Sequence, residues 1–371
     1  MAHILFISHA RGIHGAEAVM VQAAKACAAV GARVTVVVPS LVEDAGLEQA
    51  LSGIARTQVL ALPYRAAGES MLRTRLVKWY NMFACAQLKR LVEREQVTAI
   101  YSNTSITILG AELARRTGIR HIWHWHEPVD ERYGWHFTMK EYYREIVKTA
   151  DSIVCISHHQ QAEWEQALEL KLTQAHIIYN PIKRIAFTPA NRHAFHWGGK
   201  IGFIGHFEER KNIGLLLRAF EALHAQESET TLSLCGAISE EDRIYIENMT
   251  EMREPVMTIL PQTNEVEAFY NTIDILVLPS WRETMPLVVL EAMQAGVCVL
   301  QTNRSGMSEL LEGGKETLFF SPDRPEELEQ LLMNCMDADY RQTIAQAGQE
   351  KVKALLKNAS FDQQIQTLLC E

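Results

Sequence analysis

The sequence predicts an α/β protein with two parallel sheets, each packed against helices. Short apolar runs alternate with longer amphipathic stretches along the whole chain. This alternation is typical of parallel sheets, because two parallel strands need a crossover connection, usually a helix, between them. The 371 residues also exceed the about 250 to 300 residues that one hydrophobic core usually accommodates, so two domains are expected.

Two series of apolar runs are predicted to form the strands of these sheets. The first series ends near Asn180-Pro181 and the second begins at Ile201. The predicted strands are residues 4–7, 34–38, 59–62, 99–101, 119–125, 152–156 and 177–179 in the first series, and residues 201–204, 231–235, 257–260, 273–278, 297–300 and 318–320 in the second.

The segment between the two series is predicted to be an interdomain linker. Residues 184–198 are rich in Pro, Asn, His and Gly and have no clear periodicity. The first domain is therefore expected to span residues 1–183 and the second residues 199–355. The tail has a helical pattern, and residues 356–371 are predicted to form a helix that packs back on the first domain.

The composition limits the classes of function. A net charge of -9 and a pI near 5.9 argue against a general nucleic-acid binder, since phosphate affinity requires concentrated Lys and Arg. The seven cysteines are scattered without a C-x-x-C pair, as expected of reduced thiols in the cytoplasm. No apolar run approaches the roughly 18 to 20 residues of a membrane span, so a soluble protein, or one peripheral to a membrane, is expected.

One helical stretch has a basic start. Arg65, Arg73, Arg75 and Lys78 lie at or before the first turns of residues 71–94. Contact of these residues with anionic lipid or phosphate is one interpretation, and it is the less favoured of two. A domain helix with a solvated charged face explains the same pattern.

Two glutamates eight positions apart, Glu283 and Glu291, mark the strongest candidate site. A strand over residues 273–278 is followed by a short loop that carries Glu283, and Pro286 stands where a first helical residue tolerates a missing N–H group. The neighbours of Glu291 are apolar, which predicts a buried helix, and an unpaired buried carboxylate is costly. Glu291 therefore needs a partner, either a ligand hydroxyl at the carboxyl end of the strand or an internal salt bridge.

Two glycine-containing turns are candidates for anion binding. Gly15 follows the first predicted strand, and Gly205 follows the first strand of the second domain. Glycine lets backbone N–H groups approach a phosphate at a helix N-terminus. Arg210 and Lys211 lie beside such a terminus, where the helix dipole disfavours cations, and a bound diphosphate would relieve that conflict. Solvated surface residues at the second turn, and a tight strand-to-helix turn at Gly15, are the alternatives.

A nicotinamide-dependent dehydrogenase is disfavoured. The turn around Gly15 is not a G-x-G-x-x-G sequence, and the second predicted strand ends at Val38-Pro39-Ser40 without an acidic residue for a ribose.

Alternating imidazoles and indoles close the strand before Glu127. His124 and His126 are predicted to share one face of that strand, and Trp123 and Trp125 the other. A zinc site is disfavoured because the histidines of one strand, which include His121, cannot all point at one ion. Contact with a substrate at the strand's carboxyl end is favoured, and a hydrogen-bonded structural role is the main alternative for His124.

A D-x-D sequence, Asp337-Ala338-Asp339, lies in the helical tail rather than after a strand. It is interpreted as solvated surface rather than as a metal motif.

Taken together, these residues resemble the retaining glycosyltransferases of family 4, which have the GT-B architecture of two Rossmann-like domains facing each other across a deep cleft. The resemblance is strongest from Phe203 to Glu309 and extends over essentially the whole chain. It rests on the turn from Gly205 to Lys211, on Leu278-Pro-Ser followed by Glu283 and Glu291, on the loop Asn303-Arg-Ser-Gly306-Met-Ser-Glu309, and on the weaker landmarks Gly15-Ala-Glu17, His126-Glu127 and Asn180-Pro181.

The resemblance implies roles for individual residues. Glu291 would bind the ribose of a nucleotide-sugar donor, Glu283 the hydroxyls of the transferred sugar, and Lys211 the diphosphate, while His126 would lie near the reacting carbon. The catalytic set would be His126, Lys211 and Glu283. The nucleotide-sugar site would comprise Gly15, Gly205, His206, Arg210, Lys211, Thr284, Met285, Leu287, Val288 and Glu291.

One residue departs from the family pattern. His206 stands where the family has an arginine, so the second cation at the phosphate is expected to be pH-dependent or to be supplied by Arg210.

The expected function is a metal-independent transfer of a hexose from a UDP- or GDP-sugar to an acceptor hydroxyl, with retention, in bacterial polysaccharide, lipid-linked oligosaccharide or glycolipid synthesis. A nucleotide-sugar epimerase and a catalytically silent nucleotide-sugar-binding protein are the alternatives. No resident cofactor and no nucleic-acid partner are expected.

Overall fold

The computed structural model describes residues 1–40, 45–54, 57–62, 71–129, 140–185, 199–263, 265–358 and 360–371, without the side chains of 71–75, 77 and 78. The chain forms two compact units, one of Met1–Pro181 with Ser360–Glu371 and the other of Ile182–Ala359. Most of the predicted linker, residues 186–198, lies outside the described residues. Two parallel α/β sheets are present, so the predicted fold class is confirmed.

The first unit is built on seven parallel strands in the order β3-β2-β1-β4-β5-β6-β7. The strands are β1 (His3–Ile7), β2 (Arg33–Pro39), β3 (Thr57–Leu62), β4 (Ala99–Asn103), β5 (Arg120–Trp125), β6 (Ser152–Cys155) and β7 (Ala175–Ile177). Its described helices are α1 (Gly15–Ala29), α2 (Gly46–Leu51), α3 (Met71–Glu95), α4 (Ile108–Thr117), α5 (Lys140–Val147), α6 (His158–Leu168) and, after the second unit, α13 (Phe361–Cys370).

The second unit is built on six parallel strands in the order β10-β9-β8-β11-β12-β13. The strands are β8 (Lys200–Ile204), β9 (Thr231–Gly236), β10 (Met257–Pro261), β11 (Ile275–Leu278), β12 (Cys298–Thr302) and β13 (Leu318–Phe320). Its described helices are α7 (Ile213–His224), α8 (Glu240–Met249), α9 (Val266–Tyr270), α10 (Leu287–Gln294), α11 (Pro325–Asn334) and α12 (Ala338–Lys357).

All the predicted strands are present, with one clear shift in position. The last strand of the first unit begins two residues before the predicted start, at Ala175. The apolar run that predicted it continues past the ladder, where the Ile178 N–H still donates to the Cys155 carbonyl at 3.0 Å. Central strands such as β1, β4 and β12 are buried along their whole length, as expected when helices cover both faces of a parallel sheet.

The C-terminal helix α13 completes the first unit. Phe361, Ile365 and Leu369 are buried in the same core as Ile4 of β1 and Val19 of α1. The return to this unit comes at Ser360 rather than at the predicted residue 356, because α12 continues to Lys357 within the second unit.

Each sheet has a point where the strand order reverses, between β1 and β4 in the first unit and between β8 and β11 in the second. Loops that leave neighbouring strands in opposite directions open a crevice at the carboxyl edge, where α/β proteins bind ligands. The candidate residues follow these strands or their immediate neighbours.

Three global features bear on the function classes. All seven cysteines carry free thiols, and six of them are buried. Within the described ranges, no helix has the length and apolar character that crossing a membrane requires. The same part of the chain contains no cluster of His, Cys, Asp and Glu suited to a metal ion.

Buried His121 in β5 predicts an acid-sensitive first unit. Its Nε2 lies 2.9 Å from Ser102 Oγ, and burial lowers its pKa from 6.5 to about 3. The unfolded chain therefore takes up a proton that the folded chain refuses as the pH falls below 6.5, and folding stability is lost at up to about 1.4 kcal/mol per pH unit. We expect His121→Gln to show a shallower fall in stability between pH 6.5 and pH 4.5 in urea denaturation.

His176→Gln, which replaces an exposed histidine of the same unit, is the control and should keep the wild-type slope. Identical slopes for His121→Gln and the wild type would contradict the prediction.

Candidate active site

In the second unit, the predicted residues gather at the carboxyl ends of β8, β11 and β12. Gly205 and His206 follow β8, and a 3-10 helix, Glu209–Lys211, leads from there into α7. Glu283 lies in the loop after β11, which pairs with the loop after β12 because the Glu283 N–H donates to the Arg304 carbonyl at 2.9 Å. Three loops therefore meet at Glu283.

The buried Glu283 carboxylate is the centre of this group. Its Oε1 accepts hydrogen bonds from Lys211 Nζ and from Ser280 Oγ, both at 2.6 Å. Its Oε2 lies 3.4 Å from a terminal nitrogen of Arg210. Glu283 itself is 6% exposed, so one buried anion stands between two cations.

The cations keep this carboxyl ionised. Burial by itself would raise the pKa of Glu283, but the charges of Lys211 and Arg210, and the hydrogen bonds that Lys211 and Ser280 donate to the carboxylate, hold it below its ordinary value. Replacing a buried ion pair by apolar residues is often neutral or stabilising, so such a pair is weak evidence for a structural role. The pair places fixed charge at a sheet edge where ligands bind.

Arg210 joins the two loops and has unused hydrogen-bonding capacity. The Trp281 N–H donates to the Arg210 carbonyl at 3.0 Å, and the guanidinium lies 3.4 Å from the Arg282 carbonyl. Arg210 Nε and Asn212 Nδ2 are buried without a hydrogen-bond partner in the part of the chain that the structure describes. A ligand with acceptor oxygens would satisfy these donors.

Helix α10 begins beside Glu283. Pro286, with a ψ of 105°, is the N-cap of this helix. It therefore stands one position before the first helical residue, whereas the sequence predicts it at the first helical position. No side chain caps this terminus among the described residues. Thr284 and Met285 are buried just before it, and the N–H groups of Leu287 and Val288 form the open first turn.

Glu291 differs from its prediction. The prediction of a helix buried on every side was wrong, because one stripe of it, Leu287, Val288, Glu291 and Gln294, is only partly buried. The predicted need for a partner is met by the Tyr270 hydroxyl, which donates to Glu291 Oε2 at 3.0 Å. Burial raises the pKa of Glu291, while the Tyr270 hydrogen bond and the charge of Lys183 oppose that rise.

The backbone after β8 packs closely against β9. A Cβ atom added to Gly236 would lie 1.7 Å from the Gly205 carbonyl oxygen, and the Gly205 N–H donates to the Cys235 carbonyl at 3.0 Å. His206 extends from this tight backbone and is exposed. The turn is therefore held by strand-to-strand packing, while His206 itself is on the surface.

In the first unit, Gly15 begins α1 next to a buried carboxylate. Gly15 is exposed, and a Cβ atom there would meet nothing within 4 Å. Glu17, two residues later, is fully buried, and its Oε1 lies 2.9 Å from His9 Nδ1. Burial would lower the pKa of His9, but Glu17 and Glu127 raise it above its ordinary value.

His126 directly follows β5 and contacts a second buried network. Its Nε2 lies 3.0 Å from Asn103 Oδ1, and its ring packs against that of His124, with centroids 4.1 Å apart and planes tilted by 33°. The predicted faces are confirmed, since Trp123 and Trp125 form their own edge-to-face pair. His124 has a structural partner, the Tyr101 hydroxyl. Burial is the largest influence on the pKa of His126 and lowers it to about 4.

Several site residues were not identified from the sequence. Ser280 comes shortly after β11 and Asn103 is the last residue of β4, and a polar residue at the carboxyl end of a buried strand is a signal that the sequence contains. Tyr270 lies in a short helix of apolar pattern, and nothing in the sequence around it indicates a role in the site. The D-x-D sequence is surface, as predicted, because Asp337 caps α12 by accepting from the N–H groups of Asp339 and Tyr340.

Comparison with known families covers both units. Residues 13–184 match the family model described as Glycosyltransferase Family 4, and residues 198–338 match the model described as Glycosyl transferases group 1. The two models together cover most of the chain.

The chain is also similar to individual proteins. It is 28% identical over 235 residues to an uncharacterized glycosyltransferase of Haemophilus influenzae, covering 61% of this chain and 63% of that protein. It is 25% identical over 159 residues to the capsular polysaccharide biosynthesis glycosyltransferase CapM of Staphylococcus aureus, 41% of each chain. These matches therefore span less than two thirds of the curated relatives' lengths.

Among solved structures, HepE of Anabaena in complex with UDP and glucose superimposes with a TM-score of 0.78 over 100% of both chains, at 18% identity. This likeness shows the fold alone. The two family matches, together with the two parallel sheets, establish that the chain belongs to the family 4 glycosyltransferases of GT-B fold.

Proposed function

We propose that the protein transfers a hexose from a nucleotide diphosphate sugar to an acceptor hydroxyl, with retention of anomeric configuration. The observation that supports this most is the buried ion pair of Lys211 and Glu283 at 2.6 Å, with Arg210 beside it, where the strand order of the second sheet reverses. Cations for a diphosphate and a carboxylate for sugar hydroxyls then lie side by side.

The cations are proposed to stabilise the leaving group. When the bond from the anomeric carbon to the donor phosphate breaks, negative charge develops on the diphosphate, and preorganised positive groups lower that barrier. Lys211 and Arg210 supply this charge, and the first-turn N–H groups of Leu287 and Val288 add the helix dipole. We propose that these groups suffice without a resident metal ion. Arg210 is proposed to supply the second cation, since His206 stands on the exposed surface where the family has an arginine.

The two glutamates are proposed to hold the two ends of the donor. Glu283 would accept hydrogen bonds from hydroxyls of the transferred sugar, and Glu291 from hydroxyls of the donor ribose. Donor binding then requires Lys211 to exchange part of its contact with Glu283 for phosphate oxygens. Thr284 and Met285 form the buried connection between the Glu283 loop and α10 and are proposed to hold that geometry.

For retention and for the first unit, the proposal follows the family resemblance. The acceptor hydroxyl attacks the anomeric carbon on the side from which the diphosphate leaves, and the departing phosphate takes the acceptor proton. Gly15 is proposed to approach the diphosphate, and the space around its Cα leaves room for a ligand atom. His126 is proposed to lie near the reacting carbon and the acceptor.

UDP- and GDP-sugars are the proposed donors, and a growing bacterial polysaccharide or lipid-linked glycan the proposed acceptor. The similarity to HepE, which was solved with UDP and glucose, supports a UDP-sugar. The similarity to CapM supports a polysaccharide pathway. A cytoplasmic location, where nucleotide sugars are made, is proposed with it.

We further propose that α3 rests on an anionic membrane surface. Leu76, Trp79, Met82 and Phe83 are 60%, 64%, 48% and 65% exposed, and their spacing places them on one face of the helix. The sequence adds Arg73, Arg75 and Lys78 to this end of α3, while Arg65 lies outside the described residues. Exposed aromatic and aliphatic side chains among basic residues are typical of helices that lie in a membrane interface.

The release of nucleoside diphosphate tests the proposed function. We expect wild-type protein to release UDP or GDP from one nucleotide sugar when glycan acceptors are added, and Lys211→Met to release it at least about a hundredfold more slowly, as expected for loss of a charge that acts on the leaving group. Lys315→Met, which removes an exposed lysine of the same unit, is the matched control and should keep the wild-type rate.

Three outcomes of that screen would overturn the proposal. They are isomerisation of the donor without an acceptor, donor binding without any release across donors and acceptors, and a wild-type rate for Lys211→Met.

The membrane proposal is tested with vesicles. We expect the wild type to sediment with vesicles of phosphatidylcholine and phosphatidylglycerol at low salt, and Trp79→Ser/Phe83→Ser to remain in solution, because the apolar contact area is lost. Tyr245→Ser, which removes an aromatic residue that is also 64% exposed in the other unit, should bind like the wild type. Unchanged binding of the double variant, or an equal loss with Tyr245→Ser, would refute the assignment to α3.

A further inference from the structure

We propose that Glu17 is a positioning residue, which acts through Asn103 to hold His126 in the tautomer that carries its proton on Nε2. His126 Nδ1 is then a hydrogen-bond acceptor towards any group that contacts it. The relevance for catalysis rests on the proposed function, whereas the tautomer itself does not.

The first step is the charge of Glu17. This side chain is fully buried in the first turn of α1, with Oε1 2.9 Å from His9 Nδ1, 3.3 Å from Asn103 Nδ2 and 3.5 Å from Ser8 Oγ. Burial would raise the pKa of Glu17, but the contact with His9 holds it below its ordinary value. Glu17 is therefore a carboxylate at neutral pH, and a carboxylate only accepts hydrogen bonds.

The buried carboxylate of Glu17 is weak evidence for a purely structural role. Its Oε2 is buried without a hydrogen-bond partner within the described ranges of the chain. A buried carboxylate with one oxygen unsatisfied stabilises a fold poorly, because the cost of its desolvation is not fully recovered. What Glu17 does provide is an orientation for the amide of Asn103.

The second step is the orientation of that amide. Because Glu17 can only accept, the Asn103 group that faces it must be the NH₂ group, which leaves the carbonyl oxygen to face His126 Nε2 at 3.0 Å. A carbonyl oxygen cannot donate. His126 Nε2 must therefore carry the proton, and this conclusion follows from the donor and acceptor chemistry alone.

The third step is the charge of His126. Burial and the nearby His9 lower the pKa of its ring, while Glu127 and Glu17 raise it. Burial is the largest influence, so the pKa is lowered to about 4 and the ring is neutral at neutral pH. The ring also packs against that of His124, tilted by 33°, and burial lowers the pKa of His124 well below its ordinary value, so neither ring is charged at neutral pH. A neutral imidazole with its proton on Nε2 has one lone pair, on Nδ1. Under the proposed function, this atom would accept a hydrogen bond from a hydroxyl of the donor sugar or of the acceptor.

The test reads the tautomer directly. Protein labelled with ¹⁵N at histidine is examined by long-range ¹H–¹⁵N correlation spectroscopy, with the His126 signals assigned from His126→Gln. The wild type is expected to show a protonated Nε2 and an unprotonated Nδ1. Glu17→Gln should shift His126 to a mixture of tautomers, because a neutral amide can present either a donor or an acceptor to Asn103.

Two variants complete the test. Asn103→Leu removes the link and should give the same mixture, and combining it with Glu17→Gln should add nothing further. Glu112→Gln replaces another buried carboxylate of the same unit and should keep the wild-type spectrum. A wild-type ring protonated on Nδ1, or an unchanged spectrum in both Glu17→Gln and Asn103→Leu, would overturn the proposal.

The enzymatic consequence is measured separately. For Glu17→Gln we expect kcat to fall about tenfold or more while KM for the donor stays within about twofold, because an acceptor atom is misoriented and the donor site of the other unit is intact. If the protein shows no transferase activity at all, the proposed function fails and the spectroscopic result still decides the role of Glu17. A changed spectrum with an unchanged kcat would overturn the catalytic role of the contacts from Glu17 through Asn103 to His126.

Discussion

The contact between Lys211 and Glu283 is the interaction on which the candidate site depends. Each charge is poorly solvated, so each stabilises the other. The contact requires that the loops after β8 and β11 meet, which follows from the pairing of those two strands. Ser280 and Arg210 complete the surroundings of the carboxylate. A ligand that replaces part of these contacts with its own oxygens meets charges that are already in position, so little reorganisation is required.

The two units provide different electrostatic environments. In the second unit, cations and a helix N-terminus surround one buried anion, which suits a phosphate and a sugar. In the first unit, burial keeps His121, His124 and His126 uncharged, and one carboxylate, Glu17, is paired with His9. A neutral imidazole at the end of β5 can exchange hydrogen bonds with hydroxyl groups without adding a charge to the first unit.

The strands could be predicted from the sequence because they are buried on both faces and therefore appear as continuous apolar runs. Glu283 could be located as well, since its loop is fixed by a strand before it and a proline after it. Glu291 was harder, because apolar neighbours such as Leu287 are partly exposed on this short helix and the inferred burial was too complete. Tyr270 could not be assigned, since its role depends on a contact with Glu291 in another helix, which local patterns do not encode.

Calorimetric binding of the released nucleoside diphosphate tests the central claim most directly. If Lys211 carries the phosphate and Glu283 the sugar, Lys211→Met should weaken binding roughly ten- to a hundredfold, the range expected from losing a charged hydrogen bond of about 1.5 to 3 kcal/mol. Glu283→Gln should bind the same nucleotide at least as tightly as the wild type, because Lys211 no longer has a competing carboxylate, and it should nevertheless lose turnover. Equal weakening in both variants, with both folded, would contradict the division of roles between the two residues.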